Sequence, residues 1–525
     1  MKSAVVSRDA APSPPPVRLH PLLRGLSSIW FGMTILALIL VYSSIFSAVP
    51  AVCRTLELTE MQAFRHWLFV TLVVLFVLSL LSATFLRTRW TRLTAGTVLA
   101  HIGLLLLTGG ALAYFGTKIE GNVLLWAPAI EVRARVENRS VVVAELRAAP
   151  GETWTGPIPH SGSAKLNFAL LRVERTQAGD FQPAAADVSV RIADAAPRLV
   201  HLTAAPDDWQ PVHETLDIRL ATNAAETLFY DNETPALYFR DPAIGRELVR
   251  WIDHLPIHRE HYLPAGDVLR DARGTAIPSR RDRPEINLLG LRIPTGWFEP
   301  WRMPIDVDSA GLPFTVRITG YVPYVVGLYP VGAGDGQERL EPVLEVRERR
   351  QSDAARARSA IRLQLTGRGP QGGWSATRWC LFSPYPRVEA HPVTIQVPGS
   401  DHPWELVYSR AEHDLGAAVA ADKIGVTYFP GQHDIESFRS DIVVQRGDQR
   451  PQSGVVSTNR TLPIGRWTLF QSGFDFEQHW RYTILGVGNR VGMWPMNIGW
   501  IITTLGCLYA FYVKPVLLRR AKERM

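Results

Sequence analysis

The sequence predicts an integral membrane protein with four transmembrane α-helices, three N-terminal and one C-terminal, plus a large mainly-β extracytoplasmic domain. Three observations predict it. Residues 26–49, 67–86, 93–115 and 494–513 form four apolar runs, each near the ~20 residues needed to cross a bilayer. Basic residues gather at the ends of these runs. Between the third and fourth runs the chain repeatedly alternates apolar and polar residues with a period of two, the spacing of half-buried strands.

The net charge of +7 has to be located before it is interpreted. Residues 1–117 carry nine Lys/Arg and three acids, and residues 514–525 carry five Lys/Arg and one acid. That leaves 42 basic against 45 acidic residues between 118 and 513. The excess therefore flanks the apolar runs, a positive-inside signature and not a nucleic-acid patch. Both termini and the 87–92 loop are expected in the cytoplasm, with residues 51–66 and 117–490 outside it, as a multi-pass protein of the cell inner (plasma) membrane.

Taken in order, residues 1–25 are polar and proline-rich (Pro12, Pro14, Pro15, Pro16) and read as a disordered cytoplasmic tail. The first span, 26–49, has an apolar core longer than a signal-peptide h-region. The AVPAV before Cys53 lacks a small residue next to the cysteine, so no cleaved signal or lipoprotein site is expected. A loop with Arg54, Arg65 and His66 leads to the second span, 67–86. Arg87, Arg89 and Arg92 then fill a tight loop without acids before the third span, 93–115.

The third span carries His101, the only one of fourteen histidines well within an apolar run. An ionisable side chain at membrane depth costs a few kcal/mol on insertion scales, which makes it a functional-site hypothesis. Gly96, Ala100 and Gly103 give a small-residue face suited to close helix contact. Thr97 and Thr108 lie four residues before and seven after His101, on its own face. Two roles are open for His101: a hydrogen bond that glues two helices together, or a functional site. The fourth span, 494–513, is rich in interfacial aromatics (Trp494, Trp500, Tyr509, Tyr512), and residues 514–525 form a basic cytoplasmic tail.

Within 117–490 the alternating triplets Val188/Val190/Ile192, Phe314/Val316/Ile318, Ile361/Leu363/Leu365, Val393/Ile395/Val397 and Ile424/Val426/Tyr428 predict strands. Val331 to Gly336 and Gly367 to Gly373 read as turns. One helix is expected, with Asp241 as N-cap, Pro242 in the first turn, and Ile244, Leu248 and Trp251 on one face before Pro256 stops it. A division of this region near 331–345 is a further expectation.

Several chemistries are excluded. Three cysteines (Cys53, Cys380, Cys507) make no disulfide framework, and with no CxxC or CxxCH the chain is neither a thioredoxin-like reductant nor a carrier of its own covalent haem. A Cys53–Cys380 bond has nothing in the sequence to support it. His254, His258 and His261 have a metal-like spacing, but Pro256 interrupts the helix that would align them, so they read as a solvated or structural cluster. His66 reads as an interfacial histidine. There is no Walker loop and no dinucleotide fingerprint.

The overall plan, with three spans, a large β-rich region, one returning span and a basic tail, resembles the ResB-like family of cytochrome c biogenesis proteins of system II. Three stretches carry the resemblance: LSSIWFGMTILALILVYSSIFSAVPA in the first span, HIGLLLLTGG in the third, and NRTLPIGRWTLFQSGFDFEQHWRYTILGVGNRVGMWPMNIGWIITTLGCLYAFYVKP at the close. In the last, Asn459, Leu462, Gly465, Gln471, Gly492, Gly499, Gly506 and Phe511 to Pro515 fall where such proteins tend to have them. Val491 departs, since many relatives place proline there. Residues 130–450 match only in length and β character.

The resemblance implies a non-autonomous component of a holocytochrome c synthase (haem lyase) complex. Such a subunit works with a CcsA-type polytopic haem-handling protein in the lipid bilayer to move haem across the membrane and deliver it to CxxCH cysteines of apocytochrome c. His101 matches a family histidine implicated in haem ligation, with Thr97 and Thr108 as its neighbours. Neutral imidazole nitrogen is a standard axial ligand for haem iron. No tryptophan-rich haem-presenting motif of the partner type is present, so the chain reads as one half of a synthetase. The competing classes are a structural membrane assembly factor and an extracytoplasmic binding or sensor protein, neither of which contacts haem.

Overall fold

The computed structural model describes residues 21–49, 52, 60–136, 139–148, 150–157, 165–174, 185–204, 208–221, 225–252, 268–277, 285–288, 291–294, 303–331, 339–345, 357–388, 390–431, 434–474 and 481–523. The chain forms two compact units, one of residues 1–117 with 491–525 and one of residues 118–490.

Among the described residues the first unit contains four helices long and apolar enough to cross a membrane: Ile29–Ala48, Trp67–Arg87, Ala95–Thr117 and Met493–Arg520. The regular parts are called α1 (Ile29–Ala48), α2 (Trp67–Ser82), α3 (Ala95–Thr117) and α4 (Met493–Leu508). A wide turn, Ala83–Arg87, extends α2. A second wide turn, Tyr509–Val513, carries α4 into the helix Lys514–Glu523. Pro21–Leu26 is also helical, so the end of the segment expected to be disordered is ordered; residues 1–20 lie outside the described residues. The reason is local anchoring: Ser79 donates its hydroxyl to the Leu26 carbonyl at 2.8 Å and Arg87 reaches the Ser27 carbonyl at 3.0 Å.

The tightest packing in this unit is between α3 and α4, and glycine makes it possible. Gly96, Gly103 and Gly110 on α3 meet Gly506, Gly499 and Gly492 in antiparallel order. A Cβ at Gly96 would sit 2.8 Å from the Gly506 carbonyl oxygen, at Gly103 2.6 Å from that of Gly499, and at Gly110 2.8 Å from that of Gly492. A seven-residue repeat keeps one stripe turned toward a neighbouring helix, and glycine lets the backbones close to this distance. Gly492 also shapes the backbone. At φ +85 it is the left-handed residue that turns the chain into α4, so the departure at Val491 leaves that turn intact.

The second unit is mainly β-structure. Its largest sheet has fourteen strands among the described residues, built around Trp404–Tyr428. That strand pairs antiparallel with Glu226–Asp241 and with Ile435–Gln445. The first and last strands of the unit, Glu120–Trp126 and Tyr482–Asn489, are direct neighbours paired from Glu120↔Gly488 to Trp126↔Tyr482. The unit therefore closes on itself, as an insertion between two helices must. Two four-stranded sheets share one further core, in which Ile130, Val132, Leu216 and Ile218 face Leu166, Phe168, Val188 and Val190.

Phe314, Val316, Ile318, Ile361, Leu363 and Leu365 are all buried together. Ile424 is buried as well, although Tyr428, at the end of the same alternation, is exposed. Within the stretch from Gly367 to Gly373 only Pro370 and Gln371 form the turn; the glycines on either side belong to the paired strands Ala360–Gly369 and Gly372–Ser383.

Two expectations are corrected here. The segment from Asp241 to Trp251 is no helix: Glu226–Asp241 and Arg246–Trp251 form an antiparallel hairpin, Asp241↔Arg246 to Ala236↔Trp251. Asp241 Oδ1 accepts the Ala243 amide at 3.2 Å and Gly245 sits at φ +63, so side chain and glycine together favour a turn over a helix start. There is also no division near 331–345. Val325–Val331 and Arg339–Leu344 pair with each other inside the single unit 118–490.

Candidate functional site

His101 lies in the second turn of α3, half-buried, beside the wide turn that ends α2. In that turn Thr88 donates its amide to the Ala83 carbonyl at 3.0 Å, five residues back. Wide turns of this kind are frequent at functional sites. Hydroxyls and an indole complete the hydrogen bonding there. Thr88 Oγ1 donates to the Ala83 carbonyl at 2.8 Å, and Trp90 Nε1 to the Thr84 carbonyl at 3.3 Å.

Thr84 is fully buried in this turn. Its Oγ1 donates to the Leu80 carbonyl at 2.6 Å and lies 2.9 Å from His101 Nδ1. His101 thus links α3 to α2, and its other ring nitrogen, Nε2, has no hydrogen-bond partner among the described residues. An imidazole held at Nδ1 with Nε2 unengaged is a donor set suited to a metal centre that takes one axial nitrogen. The small-residue face of Gly96, Ala100 and Gly103 is turned to α4, where the Ala100 amide packs on Gly506 and Thr503 packs on Gly103.

Thr97 and Thr108 are partly buried on α3, and no side-chain hydrogen bond joins either to His101. The ring is held by Thr84, on a different helix, which sequence reasoning did not single out. The available signal was a threonine in the last turn of an apolar run that ends in arginines. His66 has a structural role, since it precedes α2 and its Nδ1 accepts the Leu68 amide at 3.3 Å, capping the helix.

Among the described residues the cysteines and the remaining histidines form no second centre. Cys380 is buried as a free thiol in the largest core, where burial pushes its pKa up to about 12. Cys53 and the group His254, His258 and His261 lie outside the described residues. Among the described residues no group of three His, Cys, Asp or Glu is arranged to hold a metal ion. The groove bordered by Phe314, Thr366, Gly367 and Trp374 has a volume of about 790 Å³ and is open to solvent.

In the β unit the buried Asp231 pairs with the part-buried His413. His413 Nε2 donates to Asp231 Oδ2 at 2.9 Å, and the ring packs on Phe229 and Trp251 with centroids at 5.4 and 4.9 Å. Asp231 Oδ1 also accepts the amides of Glu233 at 2.7 Å and Thr234 at 3.3 Å. Burial raises the Asp231 pKa, but the hydrogen bonds from His413, Glu233 and Thr234 outweigh it and hold the carboxyl below its ordinary value. These bonds fix the break in pairing between Tyr230 and Pro235.

Comparison of the chain with models of known protein families and with curated proteins gives no match.

Proposed function

We propose that this chain is the ResB-like membrane subunit of a system II cytochrome c synthetase complex. In this reading the four apolar helices span the cell inner membrane with both termini in the cytoplasm, and residues 118–490 lie outside it. Haem is cargo, and His101 holds its iron through Nε2 on the way to the CxxCH cysteines of apocytochrome c. A CcsA-type polytopic protein supplies the rest of the haem-handling machinery. The observation that carries the reading is the His101 ring, anchored at Nδ1 and unengaged at Nε2. The matched glycines and the closing stretch add support through resemblance. The topology rests on the flanking arginines and lysines. A reporter active only outside the cytoplasm should work when fused near residue 300 and fail near 90; activity at 90 would remove it.

The Thr84 bond also favours a second reading, in which His101 only ties α2 to α3 and the protein is a structural assembly factor. Substitution separates the two. Under haem ligation, His101→Ala leaves the protein inserted and paired with its partner. Co-purified haem then falls by at least ~10-fold, since losing even an outer-shell partner costs a metal site that much. His101→Gly with added imidazole restores it. His101→Asn can still bond Thr84 but is a poor iron ligand. Full haem content and cytochrome maturation in the Asn variant would assign His101 to the structural role.

A further inference from the structure

We propose that Thr84 is a positioning residue that selects the tautomer of His101, keeping the ring proton on Nδ1 and leaving the lone pair on Nε2. The use of that lone pair for haem rests on the functional reading above; the tautomer does not. A threonine hydroxyl has one proton and accepts through its lone pairs. The Leu80 carbonyl, 2.6 Å away, takes the Thr84 proton. Toward His101 Nδ1, at 2.9 Å, the same oxygen is then an acceptor, so Nδ1 must be the donor. The opposite tautomer would either set two lone pairs against each other at a fully buried hydroxyl or turn its proton off the Leu80 carbonyl, leaving two oxygens 2.6 Å apart with no proton between them, where an unmade hydrogen bond is costly.

Neutral imidazole in water favours the proton on Nε2, so this environment reverses the intrinsic preference. The wide turn explains why a threonine can do this at the end of a spanning helix. With the Thr84 carbonyl engaged by Trp90 and the Ala83 carbonyl by Thr88, the backbone around Thr84 is held from both sides and its hydroxyl is fixed in direction. The ring plane is fixed with it. Nε2 faces away from Thr84, and the Nδ1–H bond raises its basicity, as in metal sites where the second ring nitrogen is hydrogen-bonded. The ligand class is a metal centre taking one imidazole nitrogen, of which haem iron is the case proposed above.

The test uses the full chain in detergent, without haem, labelled with ¹⁵N-histidine and measured near pH 8. His101 is assigned by its absence in His101→Asn. Wild type should show a pyrrole-type Nδ1 and a pyridine-type Nε2. Thr84→Val, which keeps the shape and removes the hydroxyl, should move the proton to Nε2, and Thr84→Ser should restore it to Nδ1. On adding haem, Thr84→Val should retain about 10–100-fold less than wild type or Thr84→Ser. An Nε2–H ring in wild type overturns the proposal without any variant, and so does an unchanged tautomer in a folded Thr84→Val. An Nδ1–H ring that shifts in Thr84→Val while no form binds haem upholds the tautomer selection and removes the haem reading alone.

Discussion

The two units of this protein are built inside out with respect to each other. In the helical unit Trp30, Trp494 and Phe511 are each at least three-quarters exposed, while the buried positions of α3 and α4 are mostly glycines. In the β unit Tyr238 and Phe239 are fully buried. A mostly apolar exterior is matched to lipid, and in lipid the hydrophobic effect gives helices no reason to associate, so contact depends on close backbone approach. The β unit is held by the ordinary burial of large side chains away from water. Added volume should therefore do the damage in the first unit, and removed volume in the second.

The largest effect is expected from Gly103→Leu. The new side chain would meet the backbone nitrogen and hydroxyl of Thr503 and the Gly499 carbonyl oxygen, 2.6 Å from its Cβ. Backbone cannot rotate aside, so the cost should exceed the ~1–3 kcal/mol of ordinary overpacking. Cysteine cross-linking between α3 and α4 in membranes should fail in this variant. Efficient cross-linking would show that the pair does not depend on the glycine stripe. In the β unit the counterpart is Leu363→Ala, which empties a fully buried core position and should cost about 2–5 kcal/mol in chemical denaturation. If Leu363→Ala were neutral, that core would not be close-packed.

The same contrast decides what the sequence made legible. Hydropathy places the four helices because each is a continuous apolar run of the length that crossing a bilayer requires, ~20 residues. The glycines matched by resemblance, Gly492, Gly499 and Gly506, turn out to be positions where a Cβ would strike the backbone of α3. Alternation found the buried faces at Val316 and Leu363. It could not distinguish a helix from a hairpin at Ile244, Leu248 and Trp251. Spacings of three and four residues fit one helical face there, while the Asp241 and Gly245 turn that overrides them is a local backbone effect. His101 stood out as an ionisable residue in an apolar run. Thr84 did not, because its role comes from a wide turn and a contact between helices, neither of which is written in spacing along one helix.

A smaller effect, with a defined pH dependence, is expected at Asp231. Its pKa is lowered on folding, so its stabilisation is fully present above the unfolded carboxylate value of ~3.9 and is lost as pH falls from there through the folded value. Asp231→Asn keeps an acceptor for the Glu233 and Thr234 amides but weakens the bond from His413, at a cost of about 1–3 kcal/mol at pH 7. Below pH 4 the gap between variant and wild type should shrink. Thermal unfolding of the full chain, followed by tryptophan fluorescence across pH, measures it. A constant gap from pH 7 to pH 3 would mean that the carboxylate charge is not what stabilises the wild type.

The smallest effect sharpens the contrast most, because it compares neighbouring glycines on one helix. Gly109 lies inside α3 and is exposed, and a Cβ built on it meets nothing within 4 Å. Gly110 is buried, and its Cβ would stand 2.7 Å from the Met496 amide nitrogen and 2.8 Å from the Gly492 carbonyl oxygen. Alanine at 109 gains helix propensity without a clash and should be neutral or stabilising by up to ~0.5–1 kcal/mol. Alanine at 110 should push α4 off α3 and lower the melting temperature in detergent. One added methyl, moved by one residue, is thus expected to change the sign of the effect. If both variants melt below wild type by similar amounts, the loss lies in the chemistry of glycine along the whole helix and not in the stripe that faces α4.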